Sequence, residues 1–159
     1  MVRAVAVLAV AMALSGCVTS PGQYAVERTR AYNEPKSVIW SRLTRYLTDN
    51  EMRITTIEKA SGTISAEREF YGAETSWWDR GTLADVADCG KDFWLVPAGH
   101  TLQINSLVQG DAISSQLTVT VVVRENHLDM AGYGSVPPPT HCSSTGALER
   151  DILDDVGLP

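Results

Sequence analysis

The chain has 159 residues, is 44% hydrophobic, and carries a net charge of −6 from 13 Lys and Arg against 19 Asp and Glu. That length suits one domain with a real core. The acidic balance argues against nucleic acid as a partner, since phosphate backbones demand clustered Lys and Arg, and against electrostatic adhesion to anionic lipid.

The chain opens with Arg3 and an apolar run of 11 residues from Ala4 to Leu14. A hydrocarbon core needs roughly 20 residues to cross, so this run is too short to span. Small residues follow, in Leu14-Ser15-Gly16-Cys17. The pattern resembles the lipobox of bacterial lipoprotein signal peptides. The resemblance implies that residues 1–16 are removed, that Cys17 is thioether-linked to a diacylglycerol, and that its new amine is acylated. One acyl chain holds marginally at ~0.8 kcal/mol per buried CH₂, whereas three hold effectively for good. Val18 stands where inner-membrane retention in enteric bacteria uses Asp, so the analogy points to the periplasmic face of the outer membrane. The alternatives are an ordinary signal peptide or a buried N-terminal strand.

Cleavage would leave 143 residues and a net charge of −7, since Arg3 is the only charge removed. Lipidation uses one of three cysteines. Cys89 and Cys142 remain, an even number in an oxidising compartment, which predicts a disulfide rather than two free thiols. Closing a loop of about 54 residues should stabilise the fold by ~4 kcal/mol. Metal binding is not expected, because His100, His127 and His141 are scattered and no Cys-x-x-Cys or His-x-x-x-His spacing exists.

Val18 to Gln23 reads as a tether of at most ~20 Å, so residues 24–159 form a single domain close to the membrane. Tyr24 to Tyr32 reads as an entering strand. Pro35 to Asp49 is the clearest helix, with Glu34 at the cap, Pro35 as first helical residue and Asn50 as stop. Ile39, Trp40, Leu43, Tyr46 and Leu47 repeat at helical spacing and mark its core face. Met52 to Glu58 and Thr63 to Phe70 form a hairpin across Lys59-Ala60-Ser61-Gly62. In its second strand Ile64, Ala66 and Phe70 face inward, while Thr63, Ser65, Glu67 and Glu69 form a solvated face.

Tyr71 to Pro97 reads as irregular, with a short helix over Thr82 to Asp88. Thr101 to Gln109 and Ser115 to Glu125 form an antiparallel pair, the second carrying Leu117, Val119, Val121 and Val123 on one face. Gly132 to Cys142 contains Pro137-Pro138-Pro139 and reads as a stiff extended connector. Ser143, Ser144 or Thr145 then caps a final helix with the stripe Leu148, Ile152, Leu153 and Val156.

This order predicts an α+β fold: a curved antiparallel sheet of four or five strands covered by an N-terminal and a C-terminal helix. Pro35 to Phe70, with Trp40 in a helix, an Ile54 strand, the Ser61-Gly62 turn and an Ile64 strand, is similar to the helix-grip modules of the lipoprotein C subunit of the β-barrel assembly machinery. That resemblance implies a helix-grip module in an envelope assembly. Asp88-Cys89-Gly90 and the run from Cys142 to Glu149 resemble a separate group of proteobacterial lipoproteins, and this second resemblance implies no activity.

No Gly-x-Ser-x-Gly, His-Glu-x-x-His, P-loop or Gly-x-Gly-x-x-Gly motif appears, so neither an enzyme nor a cofactor is expected. An enzyme would need a polar cleft with His100, His127 or His141 near a carboxylate. Trp77-Trp78 in a Gly-flanked loop and Phe93-Trp94 beyond Cys89 either pack around the disulfide or form a docking surface for an envelope partner. The expected function is a non-catalytic scaffold or accessory subunit of a cell-envelope assembly or secretion complex. The alternative is a small-ligand or lipid-binding lipoprotein, marked by an apolar cavity under the Pro35–Asp49 helix.

Overall fold

The structure, a computed structural model, describes residues 19–71, 76–78, 81–90, 96–128 and 138–158. In chain order these form β1 (Thr29–Tyr32), α1 (Lys36–Asp49), β2 (Arg53–Glu58), β3 (Thr63–Tyr71), β4 (Ser76–Trp78) and β5 (Gly81–Thr82). There follow α2 (Leu83–Val86), β6 (Ala87–Asp88), β7 (Val96–Gly110), β8 (Ser115–Leu128), β9 (Thr140–Ser144) and α3 (Ala147–Gly157). The fold is α+β, and its main sheet is antiparallel in the order β2-β3-β7-β8-β9-β6. β7 pairs along the whole of β8. The other edge of β8 is therefore shared end to end by β1, at Ser115 to Thr118, and β9, at Val123 to Glu125. β4 and β5 form a separate two-stranded ribbon.

Alternation builds the inner face of the sheet. Ile64, Ala66 and Phe70 of β3, Leu102, Ile104 and Val108 of β7, and Leu117 to Val123 at odd positions of β8 are all buried. Helices α1 and α3 cover this face with the stripes their spacing predicts: Ile39, Leu43 and Leu47 from one, Leu148, Ile152, Leu153 and Val156 from the other. Each such aliphatic side chain contributes roughly 1.5–3 kcal/mol on burial. The β2–β3 turn docks on β7. There Gly62 has φ +84°, a Cβ on it would sit 2.0 Å from the Val108 carbonyl oxygen, and its own carbonyl accepts from the Val108 amide at 2.8 Å.

Several expectations need correction. Among the described residues the main sheet has seven strands rather than four or five, and there are three helices. Pro35, not Glu34, caps α1: its ψ of 145° is extended, and the Lys36 amide donates to the Asp111 carbonyl, so the helix starts at Lys36. The entering strand is confined to Thr29–Tyr32. The described end of the expected connector is not a mere connector: past the prolines, Thr140 to Ser144 is β9, an interior strand paired with β8 on one side and β6 on the other. The helix expected over Thr82 to Asp88 stops at Val86 because Ala87 and Asp88 pair with Ser144 and Ser143. Gly146 caps α3, while Ser144 Oγ and Thr145 Oγ1 accept from the amides of Gly146 and Ala147.

Candidate functional site

The inward face of the sheet changes character at one end. On β8 the apolar stripe through Val123 continues, in the same alternation, with Glu125 and His127. On β7 the stripe of Leu102 and Ile104 runs back to His100, which pairs with Glu125 across the two strands. Beyond β8 the same register places Cys142 beside Val123, and Cys142 is bonded to Cys89 with an S–S length of 2.00 Å. The expected disulfide is thus present. A cleft of about 350 Å³ opens here, lined by Tyr24, Leu83, Ala87, Asp88, Cys89, His100 and Glu125 among others.

Glu125 lies between two imidazoles. His100 Nε2 is 3.2 Å from Oε2, and His127 Nδ1 is 3.7 Å from Oε1. His127 is fully enclosed, its side chain 1% exposed, and its Nε2 lies 2.8 Å from Thr140 Oγ1. Nδ1 of both histidines is buried without a hydrogen-bond partner among the described residues. Cys89 Sγ, a ring nitrogen of His100 and a Glu125 oxygen lie within 4.8 Å of one another. With Cys89 held in the disulfide, the imidazole and the carboxylate are the groups that can hydrogen-bond a polar ligand or supply donors to a cation.

Asp88 closes the rim. Its Oδ2 accepts from the Gly22 amide and the Tyr24 hydroxyl, each at 2.9 Å, and its Oδ1 from the Gly90 amide at 2.8 Å. Donation by Gly22 first, then Gly90 and Tyr24, holds the Asp88 carboxyl below the usual carboxylate range. The same Asp88 bond raises the Tyr24 phenol above its ordinary value. Gly90 has φ +71°, and a Cβ there would lie 2.2 Å from the Thr19 carbonyl oxygen, so only glycine lets the N-terminal segment pass this close.

No family model and no curated protein matches the chain.

Of the residues singled out from the sequence, Cys89 and Cys142 are joined at this cleft. Trp77 and Trp78 lie in β4, with Trp78 paired to Gly81 of β5. Cys17, Phe93 and Trp94 lie outside the described residues. His141 is exposed opposite Arg124, away from the other histidines. Glu67 pairs with Arg53, and Glu69 accepts from Tyr71, as on a solvated strand face. Spacing along the chain does not reveal His100, Glu125 and His127 as a group. The available signal was strand parity: polar residues continuing the buried side of β7 and β8.

Proposed function

We propose that the protein is a lipoprotein of the cell envelope, anchored through acylated Cys17 at the periplasmic face of the outer membrane. In this reading it serves as a non-catalytic scaffold or accessory subunit of an envelope assembly or secretion complex. The sequence Leu14-Ser15-Gly16-Cys17 supports the anchor. The observation that carries the reading is the path of the chain just after it. Gly22 and Tyr24 are clamped on Asp88, and Thr19 passes against Gly90.

Cys17 precedes Thr19 by two residues, about 7 Å of chain at most. The acyl chains would leave from the disulfide end of the domain, and that end would face the bilayer. Tyr71 and Leu128, 70% and 50% exposed, belong to the same end of the sheet by register. The ribbon bearing Trp77 and Trp78 lies between β3 and α2 in the chain. Aromatic and aliphatic residues of this kind suit a membrane interface or a membrane-protein neighbour. The space under α1 is filled by Ile39, Leu43 and Leu47, each 0% exposed, which supports a scaffold over a ligand cavity in the grip of the helix. The cleft beside the disulfide favours a second reading, the binding of a small polar ligand at His100 and Glu125.

The anchor is tested by labelling cells with a palmitate analogue and fractionating them. Wild type should label and sediment with outer membranes, and Cys17→Ser should do neither. A labelled or membrane-bound Cys17→Ser protein refutes the reading. The scaffold role is tested with Trp77→Ala combined with Trp78→Ala, which should lower recovery of a crosslinked envelope partner at an unchanged melting temperature.

A further inference from the structure

The disulfide lies where a metal centre would place its thiolates. We propose that reduction of Cys89–Cys142 opens a site for a divalent ion of the zinc class, held by the two thiolates, His100 Nε2 and the Glu125 carboxylate. The inference does not depend on the anchor.

Three donors of different chemistry already converge: Cys89 Sγ, a His100 nitrogen and a Glu125 oxygen lie within 4.8 Å of one another. Ligands at ordinary zinc distances stand roughly 3.5 Å apart around a tetrahedron, so modest side-chain movement closes the group. Cys142 Sγ lies outside that group of three but is bonded to Cys89 Sγ, so on reduction a turn of its side chain would supply the fourth donor. Two thiolates, an imidazole and a carboxylate form a set that suits zinc.

In the disulfide form the sulfurs carry no charge, and only His100 and Glu125 remain as effective ligands. His127, enclosed and tied to Thr140, sits behind Glu125, with Nδ1 3.7 Å from its second oxygen and not hydrogen-bonded to it. His100 Nε2 lies 3.2 Å from Glu125 Oε2, so an ion beside them would meet both donors once it displaces the proton they share. The donors come from the turn after β6 and from β7, β8 and β9. Their meeting is a matter of sheet register, and no local spacing motif announces it.

The chemistry balances with a dithiol as reductant. The dithiol gives two electrons and two protons and closes to its own disulfide. The Cys89–Cys142 bond breaks to two thiols, and the ion then displaces both thiol protons to solvent. Cys89 lines the cleft and is only half-buried, so a reductant can reach it.

The test is zinc titration of the protein with its disulfide intact and after reduction, with cobalt as a spectroscopic substitute. The reduced protein should take up one zinc about 100-fold more tightly than the oxidised protein. Its cobalt form should show thiolate-to-metal charge transfer and tetrahedral d–d bands. His100→Ala and Glu125→Gln should each weaken zinc binding by roughly tenfold or more. Equal affinity in both redox states, or affinity in the reduced state indifferent to His100→Ala, overturns the proposal. Far-UV circular dichroism follows the fold throughout. If reduction alone unfolds the chain, zinc should restore the native spectrum in wild type and not in His100→Ala. Zinc that neither binds nor refolds the reduced chain also overturns it.

Discussion

Asp88 receives hydrogen bonds from Gly22, Tyr24 and Gly90, and through them it ties the N-terminal segment to the turn that carries Cys89. Its carboxyl is held low, so the unfolded chain takes up a proton before the folded one does as the pH falls. Asp85, held by Thr82, and Asp111, held by the amides of Ser114 and Ile113, shift in the same direction. Their stabilisation is present at neutral pH and is lost as the pH drops below about 4. Thermal melts between neutral pH and about pH 3 should show this loss. The stability gap between wild type and Asp88→Asn should narrow over that range, and a gap of constant size would show that Asp88 is not a clamp. Nothing local in the sequence marks this residue, because Gly22 and Tyr24 lie 66 and 64 positions away along the chain. The cysteines were legible because their chemistry needs only a count and a compartment. His100 and Glu125 were not, because 25 residues and a hairpin separate them.

At the scale of elements, α1 and α3 meet over the sheet through more than apolar contact. The Tyr46 hydroxyl donates to Asp151 Oδ2 at 2.8 Å between residues only 6% and 8% exposed. A hydrogen bond to a buried carboxylate contributes ~1.5–3 kcal/mol. Tyr46→Phe should lower the denaturation midpoint accordingly with the slope unchanged, and an unaltered midpoint would show that this hydrogen bond does not couple the helices. Both helices could be read from the sequence because an apolar stripe at helical spacing is a local property, as is the alternation of Leu117 to Val123. Two of the short strands could not. β6 and β9 have 2 and 5 residues, too few for a period; β9 forms on the edge that β8 offers, and β6 on the edge of β9. Pro137-Pro138-Pro139 made the following segment look like a connector, although proline restricts only its own amide and the residue before it. The same parity that identified β8 as a strand also carries Glu125 and His127 onto its buried side, where two polar residues at the end of a core stripe mark the site.

On the scale of the whole molecule, the two ends of the long hairpin differ. β8 has 14 residues, which at ~3.4 Å each separate its ends by ~45 Å. At one end lie the disulfide, the Glu125 cleft, exposed Tyr71 and Leu128, and Thr19, the first described residue, against Gly90. At the other lies the β7–β8 turn with Ile113, 78% exposed. An acyl anchor on Cys17 would hold the first end against the bilayer and point the second into the periplasm. The direct measurement is photolabelling of the acylated protein in vesicles that contain a diazirine phospholipid, with modified residues located by mass spectrometry. The account predicts label on Tyr71, on Leu128 and within residues 76–90, with Ile113 unmodified; label on Ile113, or no lipid adduct anywhere on the domain, would contradict it.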